Sequence, residues 1–132
     1  MKILVMGLPG SGKTYLTQRL VPILNAAWYN ADQVRKMSND WDFSDEGRKR
    51  QSMRMKTFAD FEQLHGRYVV CDFVCPTKET RENFDADIVI WMDTIKGEDT
   101  KTLISFSKIL TGLIFILQNG MSTTMMMWLR RF

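Results

Sequence analysis

The sequence predicts an α/β fold in which helices cover both faces of a parallel β-sheet. Short apolar segments, each typical of a buried strand, alternate along the chain with longer segments of helical spacing. The apolar segments are residues 2–6, 27–29, 68–73 and 88–92. Alternation of this kind favours a parallel sheet, because each connecting helix packs on one of its faces. We expect residues 1–96 to form this core and residues 97–132 to be an atypical tail that leaves the core incomplete at its C-terminal side.

The first strand leads into a glycine-rich loop, Gly7-Leu8-Pro9-Gly10-Ser11-Gly12-Lys13-Thr14. The loop fits G-x-x-x-x-G-K-[ST], the phosphate-binding loop of nucleoside triphosphatases and kinases. Glycines let the backbone fold tightly around an anion, and the loop N–H groups and the next helix N-terminus point at the phosphates. Lys13 supplies a charge for the β- and γ-phosphates, and the Thr14 hydroxyl is the expected Mg²⁺ ligand. The motif lies between a strand and a helix, so we predict a P-loop kinase core that binds ATP with Mg²⁺ rather than a glycine-rich turn without a ligand.

The first helix is expected from Gly12 to about Asn25, with Pro22 kinking it or ending it early. The second strand then delivers Asp32 and Arg35 to the carboxyl edge of the sheet, where open α/β sheets bind ligands. Asp32 could accept a hydroxyl proton or lie near Mg²⁺, and Arg35 could bind an anion. The structural alternative, which the spacing alone favours, makes Asp32 a helix N-cap and Arg35 a solvated side chain.

A longer helix is predicted to begin after Ser44, a good N-cap, and to continue to about His65. Its basic residues, which include Arg48, form either a solvated face or a binding surface for an anionic substrate. We interpret His65 as a capping or surface residue and not as a catalyst.

The third predicted strand ends at an acidic residue, Asp72, as in a Walker B arrangement. Asp72 is therefore a candidate for indirect contact with Mg²⁺. A short helix is expected over residues 77–82, above the site where a phosphate acceptor would bind. The fourth strand again leads to an acidic residue, Asp93.

The composition sets limits on partners and location. The 132 residues include 18 basic and 15 acidic side chains, and a net charge of +3 does not by itself indicate nucleic acid. The two cysteines, Cys71 and Cys75, are a poor zinc signature and are expected to be reduced thiols. Met1 leads directly into the first strand and no apolar stretch reaches about 20 residues, so we expect a cytoplasmic protein without signal peptide or membrane partner.

In combination, these segments resemble the adenylylsulfate kinase family over residues 3 to about 95. The phosphate loop is similar, and residues 30–35 resemble the family's Asp-Gly-Asp-Asn-[Val/Ile]-Arg segment. Asp42-Phe43-Ser44 with Arg48 and Gln51, Phe73-Val74-Cys75-Pro76 with Lys78 and Arg81, and Asp93-Thr94 match later family segments in order and spacing. The chain departs from the family pattern at Asn30, Gln51 and Cys75, where the family has an acidic residue, Asn and Ser.

The resemblance implies transfer of the γ-phosphate of MgATP to the 3′-hydroxyl of adenosine 5′-phosphosulfate. Lys13 and Thr14 would hold MgATP, and Asp32 would position or deprotonate the acceptor hydroxyl. The anionic nucleotide acceptor would be bound by Arg35, Arg48 and Gln51 at its phosphosulfate and by Phe73 at its adenine. A kinase for another hydroxyl acceptor and a nucleotide-binding protein without catalysis stay open as alternatives, as does a homodimer.

Residues 97–132 do not continue the family pattern. They are apolar without clear helical or strand period, and four of the ten methionines fall between positions 121 and 127. Met125-Met126-Met127-Trp128 has only one codon sequence, and its offset reading gives Asp-Asp-Val. We therefore interpret the chain from about residue 97 as read in a shifted frame, without a kinase lid and packing poorly on the sheet. The alternative for residues 103–117 is a hydrophobic helix that binds a partner.

Overall fold

The computed structural model describes residues 1–7, 12–74, 77–93, 111–112 and 125–130. The elements are β1 (Lys2–Met6), α1 (Lys13–Leu24), β2 (Ala27–Asn30), α2 (Ala31–Ser38), α3 (Asp45–Leu64), β3 (Val69–Phe73), α4 (Lys78–Phe84), β4 (Ile88–Asp93) and β5 (Met125–Arg130). The strands form one sheet in the order β2-β3-β1-β4-β5, and each neighbouring pair is parallel. The predicted α/β fold with a parallel sheet is confirmed.

The apolar residues of β1 alternate between the two faces of the sheet. Ile3 and Val5 pack with buried residues of α1 on one face. Leu4 and Met6 pack on the other face with buried residues of α2, α3 and α4. A strand covered on both sides needs a continuous apolar run, which explains why these strands show no polar alternation. Helices therefore cover both faces, as predicted.

The first helix continues past its proline. Pro22 lies inside α1, which ends at Leu24, and Asn25 then adopts a left-handed conformation with φ of 48°. The backbone N–H of Asn25 donates to the Pro22 carbonyl at 3.3 Å, which closes the helix. The early end at Pro22 is excluded, whereas the predicted end near Asn25 is confirmed.

The helices in the middle of the chain begin after N-cap residues. Ser44 accepts a hydrogen bond from the Gly47 N–H at the start of α3, as predicted. Thr77 accepts one from the Thr80 N–H at the start of α4. His65 is the C-cap residue of α3 and is exposed, in agreement with its interpretation as a capping or surface residue.

The sheet includes a strand that the sequence analysis missed. Residues 97–132 show no clear strand period in the sequence, yet β5 pairs in parallel with β4 from Ile88↔Met125 to Asp93↔Arg130. A parallel strand is buried on both faces and needs no alternation, so an unbroken apolar run is compatible with it. The sheet therefore extends beyond the predicted core boundary at residue 96.

Two further expectations concern cysteines and membranes. Cys71 is a free, buried thiol, and burial raises its pKa. Cys75 lies outside the described residues. Within the described part of the chain, no helix combines the length and apolar character needed to span a bilayer.

Candidate functional site

The phosphate loop begins where β1 ends, at the carboxyl edge of the sheet. The Gly7 N–H donates to the carbonyl of Phe73, the last residue of β3, at 3.3 Å. Gly12 precedes α1 with φ of 94°, a conformation that side-chain-bearing residues rarely adopt. Lys13 and Thr14 then form the first turn of α1. Leu8, Pro9, Gly10 and Ser11, which are also predicted to bind ATP, lie outside the described residues.

Asp72 is a buried carboxylate on β3, one strand away from this loop. Its Oδ2 accepts a hydrogen bond from Trp28 Nε1 at 2.6 Å, and its Oδ1 accepts one from Asn30 Nδ2 at 2.7 Å. Burial raises the pKa of Asp72, whereas the Trp28 hydrogen bond, the charge of Lys13 and the Asn30 hydrogen bond lower it. The electrostatic influence of Lys13 links Asp72 to the predicted phosphate site.

The oxygen donors at this edge fit magnesium bound together with a nucleotide. Mg²⁺ in kinases takes few protein ligands and completes its shell with phosphates and waters. Thr14 offers an exposed hydroxyl, and each oxygen of Asp72 keeps a lone pair beyond its one hydrogen bond. Among the described residues, no group of three or more His, Cys, Asp or Glu could hold a metal without a nucleotide. Thr14 would be a direct ligand, and Asp72 would bind through water.

A small cavity of about 350 Å³ lies beside these donors and is lined by Thr14, Trp28, Asn30 and Gln33. Neither Trp28 nor Gln33 is among the site residues predicted from the sequence. Trp28 and Asn30 are two positions apart on β2, so their side chains emerge on the same face of the strand. The sequence signal that could have predicted these two donors is an indole N–H and an amide two positions apart on a strand that leads into a helix.

A larger cavity of about 480 Å³ contains the predicted acceptor residues. Asp32, Arg35, Arg48, Gln51 and Phe73, which come from α2, α3 and β3, all line it. The other lining residues, which the sequence analysis did not include in the site, are Ala31, Phe43, Ser52, Val74, Thr77 and Thr80. Thr80 belongs to α4, so residues from four elements (α2, α3, β3 and α4) surround one space.

Asp32 is exposed in the first turn of α2. The cap of α2 is Asn30, whose Oδ1 accepts from the Gln33 N–H at 3.0 Å. The structural alternative for Asp32 as N-cap is therefore wrong. In the described part of the chain Asp32 forms no ion pair, and its carboxylate lines the cavity.

Arg35 is buried, so the alternative of a solvated side chain is also wrong. Its Nη1 donates to the carbonyls of Asp40 and Asp42 at 2.9 and 3.2 Å. Its guanidinium carbon lies 4.3 Å from the ring centroid of Phe43, within cation–π distance. Arg35 thus holds the segment after α2 in place while it lines the cavity.

The same segment is held from α3 by two arginines. Asp40 accepts from Arg50 Nε at 2.6 Å and from Arg54 Nη2 at 2.8 Å. The Arg50 and Arg54 guanidiniums hold the pKa of Asp40 well below its usual range. Gly47 approaches the Asp42 carbonyl so closely that a Cβ would overlap it. The cavity wall therefore depends on close packing between this segment and α3.

Gln51 and Arg48 differ in how much of their polar surface is available. Gln51 is buried, donates through Nε2 to the Ala31 carbonyl at 2.9 Å and accepts from Arg54 Nη1 at 3.0 Å. Arg48 is exposed and lines the cavity. Gln51 thus ties α3 to the start of α2, whereas Arg48 is exposed where it lines the cavity.

The chain has the fold of P-loop kinases, with the phosphate-loop sequence at the edge of a parallel sheet and a cavity that contains arginines and a carboxylate. The family profile described as adenylylsulphate kinase matches residues 1–95. The chain belongs to the adenylylsulphate kinase family.

Comparison with individual proteins agrees with this assignment. A probable adenylyl-sulfate kinase of Aeropyrum pernix is 34% identical over 84 residues, which are 57% of this chain and 44% of the relative. The chain thus spans less than half of that relative's length. The Mycobacterium tuberculosis APS kinase in complex with AMPPNP and APS superposes with a TM-score of 0.59 at 17% identity, covering 99% of this chain and 89% of that chain. The shikimate kinase of Aquifex aeolicus gives 0.63 at 15%, covering 89% and 99%. At these identities the two structures support the fold alone.

Proposed function

We propose that this chain transfers the γ-phosphate of ATP to the 3′-hydroxyl of adenosine 5′-phosphosulfate. The observation that carries the proposal is the single cavity that joins Asp32, Arg35, Arg48 and Phe73 beside the phosphate loop. Membership of the family supports the substrate, and the similar Mycobacterium tuberculosis APS kinase, whose structure contains APS, supports it by analogy. A role in sulfate assimilation and a cytoplasmic location follow from this proposal.

The site residues form two groups, one for ATP and one for the acceptor. Lys13 neutralises charge on the β- and γ-phosphates, and Thr14 with Asp72 would hold Mg²⁺, which would supply further positive charge there. Asp32 accepts the proton of the acceptor hydroxyl as a general base, with its carboxylate exposed for that purpose. Arg48 binds the acceptor's phosphosulfate, and Arg35 contributes the part of its guanidinium that the Asp40 and Asp42 carbonyls do not occupy.

The decisive experiment measures ADP release with ATP, Mg²⁺ and a panel of acceptors: adenosine 5′-phosphosulfate, shikimate, gluconate and a DNA with a free 5′ end. We expect acceptor-dependent release with adenosine 5′-phosphosulfate and with none of the other acceptors, weak in this chain as written and restored when the frame of the tail is corrected. Release with another acceptor instead would identify a kinase of different specificity. Nucleotide binding without any turnover would favour a binding protein that has lost catalysis.

We also propose that the chain is read in a shifted frame from about residue 97 onward. The forced offset reading of residues 125–128 supports this proposal, whereas the pairing of β5 with β4 weighs against it. The nucleotide sequence over codons 94–132 decides the question. If the frame is shifted, the frame-corrected protein should be a faster kinase than this chain; equal rates would contradict the proposal.

A further inference from the structure

Asn30 makes two hydrogen bonds that require opposite chemistry at the two ends of its side chain. Its Oδ1 accepts from the Gln33 N–H at 3.0 Å, and its Nδ2 donates to Asp72 Oδ1 at 2.7 Å. A backbone N–H needs an acceptor and a carboxylate needs a donor, so the amide has only one satisfactory orientation. Aspartate could cap the helix but could not donate to Asp72. Serine could also cap it but is too short to span the strands.

Trp28 completes the arrangement from the same strand. Its Nε1 donates to the other carboxylate oxygen, Asp72 Oδ2, at 2.6 Å. Asn30 and Asp72 are directly opposite each other in the β2–β3 register, so the strands themselves fix this contact. Two donors on two different oxygens determine the plane of the Asp72 carboxylate. Both donors also line the small cavity with Thr14, the proposed Mg²⁺ ligand.

We propose that Asn30 and Trp28 are positioning residues that orient the Asp72 carboxylate toward nucleotide-bound Mg²⁺. Both donors are uncharged, so they hold the carboxylate without neutralising it. Its negative charge stays available to water molecules in the Mg²⁺ shell, whereas arginine in place of either donor would compete for it. The inference rests on the MgATP part of the proposed function and does not depend on the identity of the acceptor.

The test measures binding of a non-hydrolysable ATP analogue to the full chain by calorimetry, once with excess Mg²⁺ and once with EDTA. Asn30→Ser keeps a good N-cap but removes the donor to Asp72. We expect it to reduce the Mg²⁺-dependent gain in affinity by roughly tenfold, the scale of lost second-shell contacts to metals, and to leave binding in EDTA unchanged. Trp28→Phe, which keeps an aromatic ring without the N–H, should act in the same direction. Ser44→Asn, the reverse exchange at the α3 cap, is the matched control and should match the wild type.

A double-mutant cycle separates positioning from an independent role. If Asn30 acts through Asp72, Asn30→Ser combined with Asp72→Asn should lose no more Mg²⁺-dependent affinity than Asp72→Asn alone. Additive losses, or equal losses in Mg²⁺ and EDTA, would overturn the proposal. So would wild-type behaviour of both Asn30→Ser and Trp28→Phe. Failure of the wild-type chain to bind the analogue would reject the proposed function as well, whereas binding without phosphorylation of adenosine 5′-phosphosulfate would reject the proposed function alone.

Discussion

Asp40 and Asp72 are both well hydrogen-bonded carboxylates, yet their partners differ in charge. Asp40 accepts from the Arg50 and Arg54 guanidiniums, which lower its pKa. Asp72 accepts from the uncharged Trp28 and Asn30, and its burial raises its pKa. Arg50 and Arg54 neutralise the charge of Asp40, whereas Asp72 forms no ion pair among the described residues and has only the longer-range charge of Lys13 to offset its own.

This difference separates a structural carboxylate from one suited to a ligand. A carboxylate between two guanidiniums contributes to the fold but has little charge left to offer. A buried carboxylate held by neutral donors costs stability unless a cation approaches it. Perturbed acids of the second kind concentrate at functional sites. We therefore expect changes around Asp72 and the phosphate loop to affect ligand binding, and changes around Asp40 to affect stability.

The largest effect should come from Lys13, the cation of the phosphate loop. Lys13→Ala removes the charge that faces the β- and γ-phosphates, and water in the loop replaces that charge poorly. We expect ATP binding or turnover to be abolished while the thermal unfolding temperature stays close to that of the wild type. Lys36→Ala, an exposed lysine in the last turn of α2, is the control and should bind ATP normally. Unchanged MgATP affinity and rate in Lys13→Ala would reject the phosphate-loop assignment.

The next largest effect tests the exposed acid beside the acceptor cavity. Asp32→Asn keeps the size of the side chain but removes the base, so phosphoryl transfer should fall by about 10²–10⁴-fold. Binding of the ATP analogue should change little, because Asp32 lies on the acceptor side. Single-turnover kinetics and calorimetry on the same preparation separate the two quantities. Loss of stability with normal turnover per folded molecule would instead assign Asp32 a structural role.

These contrasts also explain what the sequence could and could not predict. The phosphate loop is contiguous, and its chemistry demands its residues, so residues 7–14 were recognisable without a structure. The strands were recognisable because burial on both faces requires apolar runs. The donors to Asp72 were not, because Trp28 and Asn30 are 44 and 42 positions away in sequence.

Arg35 shows a second limit of sequence analysis. Spacing alone made it a solvated residue, but the Asp40 and Asp42 carbonyls and the Phe43 ring bury it. Those partners belong to an irregular segment whose path is set by α3, and no local pattern encodes that path. β5 was missed for a different reason, because an apolar run without alternation does not distinguish a strand from other apolar segments.

A third prediction concerns Gly47, which packs against the segment that contains Asp40 and should therefore affect stability. Gly47→Ala would place a Cβ on the Asp42 carbonyl and displace the segment that Arg35 holds. Alanine ordinarily favours a helix by up to about 1 kcal/mol, but we expect the overlap to prevail and to destabilise the fold by about 1–3 kcal/mol. Urea unfolding measures the change, with Lys49→Ala on the exposed surface of the same helix as control. A more stable Gly47→Ala variant would show that the segment relaxes easily.

The smallest effect should come from Asp40 itself, and it should depend on pH. The pKa of Asp40 is lowered in the folded protein by hydrogen bonds from Arg50 and Arg54. A lowered pKa means that the folded state holds its proton less readily than the unfolded state. The stability that Asp40 contributes is therefore complete above its unfolded pKa of about 4 and is lost as the pH falls from there toward the folded value.

We accordingly expect Asp40→Asn to unfold at lower urea concentration than the wild type at pH 7, with a difference that narrows below about pH 4. The effect should be modest, because Arg50 is half-exposed and such pairs are screened by solvent. Glu82→Gln, which removes a long, exposed contact with Lys78, is the control and should show almost no difference at either pH. A difference for Asp40→Asn that stays constant with pH would mean that the lost interaction is not ionic. In that case the charge of Asp40 would contribute nothing to the fold, and packing would account for the difference between Asp40 and Asp72.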